Sequence, residues 1–144
     1  MEELIESMKR TFATHFQYYV KAHGYHVNVV GINFTQFHEL FGKIYEHAQG
    51  EIDHLAEQIR AIEGIAPFAM ERIIELGSIK DSKERPTANA MVTELLADSQ
   101  ILENHYMESY DMAEELNVAG LCNYLGQLID THRKYMWMLR STLE

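Results

Sequence analysis

Eight histidines and 22 acidic side chains in 144 residues make metal ligation the first chemistry to consider, because imidazole and carboxylate are common ligands of transition metals. Abundance decides nothing without geometry. Bundles that hold two irons inside one subunit use a Glu-x-x-His on each of two helices. The sequence has one such tetrad, Glu51-Ile52-Asp53-His54, and no second, which weighs against an internal di-iron centre. Rotation along the helix favours a different set. At ~100° per residue from Phe34, the apolar stripe centres near roughly 330°, while Asp53 falls at about 100° and Glu57 at about 140°. These carboxylates point away from the helix's own core, one turn apart, in the i,i+4 relation that lets two side chains share a ligand. The competing reading is a solvated face beside Arg60. His38 lies at about 40°, on the flank, and precedes Asp53 by roughly 22 Å of helix at 1.5 Å per residue. It cannot join Asp53 and Glu57 around one ion within one straight helix. Two copies packed antiparallel about a two-fold axis bring one chain's His38 to the other's carboxylates and create two equivalent sites. His26 is then the second imidazole. If His26, His38, Asp53 and Glu57 form one site, that site spans two chains.

The elements that must position these residues follow from apolar steps of three and four. A first helix is expected from about Glu2 to Tyr25, with Ile5, Met8, Phe12, Phe16 and Tyr19 inward and Gly24 and Gly31 bracketing the connection after it. A second starts near Asn33 or Thr35, both good N-cap residues, and runs to about Glu63, with Phe34, Phe37, Phe41, Ile44, Leu55 and Ile59 among its apolar positions. Gly64 stops it. Pro67 suits the first turn of a short helix to Leu76, and the polar run Gly77 to Pro86 is a loop. A third long helix spans about Thr87 to Leu116, Asn117 interrupts, and a fourth runs from about Val118 to Leu143. Four such amphipathic helices with one long crossover make an all-α four-helix bundle, with a short extra helix between helices two and three, in one domain over residues 1–144.

Composition limits the partners. Twelve Lys and Arg against 22 Asp and Glu give a formal charge of -10, so no broad basic surface is available for nucleic-acid phosphates. A surface of that sign attracts cations, the more so when copies assemble. The single Cys122 forms no disulfide within one chain and fits a reducing cytoplasm. The acidic start lacks the layout of a signal peptide, and no apolar run approaches the ~20 residues of a membrane span. A cytoplasmic protein without a membrane partner is expected.

The stretch Tyr25-His26-Val27-Asn28-Val29-Val30-Gly31-Ile32-Asn33-Phe34-Thr35-Gln36-Phe37-His38 resembles the signature of the Dps (miniferritin) family of ferritin-like proteins, with its His-Trp-Asn opening, Gly-x-x-Phe step and second His. Asp53-His54-Leu55-Ala56-Glu57-Gln58-Ile59-Arg60 is similar to that family's Asp-x-x-Ala-Glu-x-x-Arg run. Ala66-Pro67 through Ile79 and Asp130 through Arg140 resemble its middle connection and closing helix, so the likeness covers nearly the whole chain. It implies a hollow dodecamer with ferroxidase sites at two-fold interfaces, His26 and His38 from one chain and Asp53 and Glu57 from its neighbour. Iron would be the metal, with no organic cofactor. Fe²⁺ would bind there, Glu57 bridging a second ion; hydrogen peroxide or dioxygen would take its electrons in pairs, and ferric mineral would collect inside.

Three departures from the family pattern matter. Val27 replaces the Trp that usually follows the first His, leaving Tyr25 or Tyr45 as the nearby aromatic candidates. Asn123 stands where an acidic residue near the pore for ions is common. No Lys/Arg-rich run precedes the first helix, so DNA binding is not expected. The first two keep open a shell or nucleoid-associated protective protein of the same fold with little iron oxidation. An ordinary ferritin with its centre inside each subunit is a third reading, opposed by the lone Glu-x-x-His. Trp137 and the eight Met are expected in packing or interface roles, and His15, His23, His47, His54, His105 and His132 as surface or hydrogen-bonded structural groups.

Overall fold

The computed structural model describes residues 1–144. Six helical segments follow one another: α1 (Glu2–Asn28), α2 (Phe34–Gly50), α3 (Ile52–Ala61), α4 (Met70–Leu76), α5 (Ala88–Glu115) and α6 (Ala119–Leu143). The chain is all-helical. α1 packs on α2 and on α5, and α5 packs on α6, while α4 lies against α1 within the long crossover. With α2 and α3 forming one bent rod, this is the expected four-helix bundle and its extra short helix. No helix is long and apolar enough to cross a membrane.

The bend corrects the expectation of one continuous second helix. Gly50 removes a side chain that would stiffen the backbone, and Glu51 settles at φ -92°, ψ -7°. The ladder nevertheless crosses the bend, from Glu51 N–H to the His47 carbonyl at 3.2 Å and from Leu55 N–H to the Glu51 carbonyl at 2.9 Å. α1 also runs three residues beyond Tyr25, so Gly24 is interior to the helix and His26 sits in its last turn. Gly31, at φ +131°, makes the reversal into α2 that a Cβ would strain.

Helix ends follow recognisable chemistry. Thr87 caps α5 by accepting from the Ala90 N–H at 3.2 Å. At the end of α5, Val118 N–H reaches the Ala113 carbonyl at 2.9 Å and Asn117 N–H the Glu114 carbonyl at 3.0 Å, a Schellman turn with Asn117 left-handed at φ 57°. α3 ends the same way, but with Glu63 rather than Gly64 in the left-handed position, at φ 69°. Gly64 is required for space instead: a Cβ there would meet Ile5 at 2.6 Å and Ile59 at 2.9 Å. The short helix begins at Met70 rather than Pro67, because the chain is still extended at Ala69 (φ -117°, ψ 133°).

The buried side of α1 is more polar than its apolar spacing indicates. Leu4, Met8, Phe12, Tyr18, Ala22 and Tyr25 are buried, together with Ser7, Thr11, Thr14 and His15, while Ile5, Phe16 and Tyr19 are only partly covered. Each polar group there has a partner across the bundle. Ser109 joins Ser7 at 2.8 Å and Thr11 at 2.9 Å, and Tyr18 meets Ser99 at 2.6 Å. His15 donates from Nε2 to the Ala48 carbonyl and accepts at Nδ1 from the Tyr106 hydroxyl, both at 2.6 Å. Buried polar groups are tolerated when bonded in this way.

Candidate metal centre in two halves

The end of α1 and the start of α2 place two imidazoles face to face. The rings of His26 and His38 stack with centroids 3.9 Å apart and planes 16° from parallel. Their backbones hold them reciprocally: His26 Nδ1 donates to the His38 carbonyl and His38 Nδ1 to the His26 carbonyl, each at 2.7 Å. A carbonyl only accepts, so Nδ1 carries the proton in both rings and each Nε2 presents its lone pair, the tautomer a metal ligand needs. The extension of α1 through Asn28 puts His26 where this exchange can form. Gly42, one turn beyond His38, makes room for it: a Cβ there would stand 3.1 Å from Cε1 and Nδ1 of His26. A glycine inside a helical run is the sequence signal for Gly42, though it does not by itself point to a site.

The aromatic neighbour is Tyr45. Its ring lies 4.9 Å from His26 and 4.7 Å from His23, which stacks in turn on Tyr19. Tyr25, the other candidate, turns inward against Phe41 and donates its hydroxyl to Glu94. Phe34, expected in the core, is half exposed and stacks on His38 at 5.0 Å. Val27 is exposed, as is Asn123 on α6.

The second half lies on α3. Asp53 and Glu57 are both exposed and face each other across one helical turn. The Asp53 carboxylate, by hydrogen bond and by charge, raises the pKa of the Glu57 carboxyl above its ordinary value. Arg60 does not neutralise the pair, because its guanidinium bonds the Gly64 carbonyl at the end of α3. Two like charges held a turn apart are relieved by a cation between them.

Within one chain the halves stay apart, and no three His, Cys, Asp or Glu side chains converge on one point. Of the remaining histidines, His15 and His132 are buried and bonded, and desolvation lowers the pKa of each to about 4. His132 Nε2 donates to the Ser99 carbonyl at 2.8 Å, and His105 pairs with Ser78 at 2.9 Å. His47 and His105 depart in part from the expectation of surface or satisfied groups: His47 Nε2 and His105 Nδ1 are shielded from solvent with no hydrogen-bond partner.

The ferritin-like domain family matches residues 5–144. The chain is 32% identical over 137 residues to the DNA protection during starvation protein of Brevibacillus brevis, covering 95% of this chain and 92% of that one. It is 30% identical over 142 residues to general stress protein 20U of Bacillus subtilis, covering 99% and 98%. The crystal structure of a Dps protein from Bacillus brevis superposes with a TM-score of 0.94 at 31% identity, over 99% of this chain and 96% of that one. The chain therefore belongs to the ferritin-like proteins and, among them, to the Dps (miniferritin) family.

Proposed function

We propose that this protein is a ferroxidase and iron store, oxidising Fe²⁺ at sites that two copies complete together. One observation carries the reading: the chain presents two half-sites of complementary chemistry, a bis-imidazole pair and a dicarboxylate pair, that do not meet within it. Exposed apolar side chains fringe both in sequence, Val27, Val30 and Ile32 around the first and Ile65, Phe68 and Ile74 beyond the second. Burial of these side chains between copies would favour association.

In the assembled pair, Nε2 of His26 and His38 from one chain and the carboxylates of Asp53 and Glu57 from the other would surround Fe²⁺. Hard carboxylate oxygens favour the ferric product over the ferrous substrate, so oxidation is helped by the ligand set itself. Two Fe²⁺ and two protons reduce one hydrogen peroxide to two waters, and pairing the electrons avoids release of hydroxyl radical. A closed shell, a dodecamer by family resemblance, would then hold the ferric mineral.

Mixing tests the shared site. Chains carrying His26→Ala with His38→Ala should be inactive, as should chains carrying Asp53→Asn with Glu57→Gln. Unfolded and reassembled together in equal amounts, half the pairs are mixed, and each mixed pair holds one intact site. About a quarter of wild-type Fe²⁺ oxidation should return. Recovery of none would place the chemistry inside single chains or nowhere. The alternative, a protective shell without iron oxidation, predicts that the wild-type protein does not accelerate ferric absorbance over buffer.

A further inference from the structure

The Glu-x-x-His tetrad plays no part in the shared site. Glu51 sits at the break between α2 and α3, flanked about one turn away on either side by His47 and His54. With Tyr124, Gln127 and Thr131 of α6 they line a recess of about 170 Å³. That is room for an ion with a few waters, each of which takes ~30 Å³.

Three observations make this recess more than a gap. His47 Nε2, out of reach of solvent, has no partner, and such atoms in a native structure call for an ion or a water. The Glu51 carboxylate is held in place by the Tyr124 hydroxyl, which donates to Oε2 at 2.7 Å, and His54 Nδ1 stands 3.5 Å from the same oxygen. No lysine or arginine lines the recess to neutralise that carboxylate. Two imidazoles and one carboxylate are a donor set for borderline divalent metals.

We propose that His47, Glu51 and His54 form a second cation site, one per chain and wholly within it, selective for divalent transition metals such as Co²⁺, Zn²⁺ and Fe²⁺. The donors do not converge as they stand. Closure needs the His47 ring to turn its shielded Nε2 into the recess, the His54 side chain, 65% exposed, to turn inward, and Glu51 to share its carboxylate between Tyr124 and the metal. Tyr124 then becomes a positioning residue that orients the carboxylate ligand.

The test uses the assembled protein, crystallised and soaked with Co²⁺ alone. An anomalous peak is expected in the recess, at roughly 2.0–2.2 Å from Glu51 oxygen and from histidine nitrogen. Glu51→Gln can still accept from Tyr124, and His54→Ala removes an exposed group, so neither variant should disturb the fold. Both should lose the recess peak and lower Co²⁺ stoichiometry by one per chain in calorimetry. The peak at Asp53 and the rate of Fe²⁺ oxidation should not change. An absent recess peak at saturating Co²⁺ would overturn the proposal. So would a peak held by His54 alone, or a stoichiometry unchanged in Glu51→Gln. Since the two sites share no ligand, loss of either reading leaves the other to stand on its own peak.

Discussion

Gly42 sets how closely the His26 ring can approach α2. Any side chain there stands 3.1 Å from that ring, so Gly42→Ala should push His26 off its bond to the His38 carbonyl. Groups that orient a metal ligand are worth roughly 10–100-fold in affinity, and Fe²⁺ affinity measured without oxygen should fall by about tenfold at unchanged thermal stability. An affinity equal to wild type would show that the ring tolerates the shift. The reciprocal bonds between His26 and His38 have a similar effect. Each ring is oriented by the other residue's main-chain carbonyl, which an Ala substitution leaves in place, so the affinity losses from His26→Ala and His38→Ala should be nearly additive. A double-mutant cycle with strongly non-additive losses would show that the stacking of the rings couples them instead. At this scale the sequence was partly legible. The outward placement of Asp53 and Glu57 is legible by rotation alone, since a pair of exposed acids stands out against an apolar stripe. His15 and Thr11 were not found, because nothing local in a sequence says that a polar side chain will meet Tyr106 or Ser109 some ninety residues away.

At the scale of elements, the polar seam inside the bundle predicts acid sensitivity. Unfolded histidine takes up its proton near pH 6.5, whereas buried His15 and His132 do so only at about 4. Between those values the unfolded chain binds more protons, so stability falls as pH drops from about 6.5 towards 4 and is restored on return to neutrality. The loss is on the order of 3 kcal/mol for each residue across that window. Urea midpoints should therefore fall steeply between pH 6.5 and 4.5. His132→Gln, which keeps a donor for the Ser99 carbonyl but cannot titrate, should flatten part of that slope. Thr87→Ala removes the one side-chain cap on α5 and should cost about 1 kcal/mol. Helix number and order were legible from periodicity. The bend at Glu51 and the switch of Glu63 into the left-handed position were not: no local pattern marks Glu51, and Glu63 turns where it does because Ile5 and Ile59 close on Gly64.

For the whole molecule, charge and exposed apolar surface point in different directions. The net charge of -10 disfavours duplex DNA, and a mobility shift at physiological salt should show little binding near neutral pH; a strong shift that weakens steeply with added salt would reverse that view. The exposed Phe68 and Ile74 should be needed for association instead. Phe68→Asp together with Ile74→Asp should shift the assembly towards smaller species in sedimentation, with helix content retained. Which chain surfaces meet is not legible from one sequence, because a half-buried phenylalanine and an interfacial one share the same pattern.

The separation of the two half-sites on one polypeptide also bears on when catalysis can begin. A newly synthesised, solitary subunit offers an incoming ferrous ion two donors at most at either half, too few to grip it. Turnover should therefore rise more than linearly with protein concentration in dilute solution and show a lag after rapid dilution. On the proposed reading, oxidation of iron would wait until two copies have met.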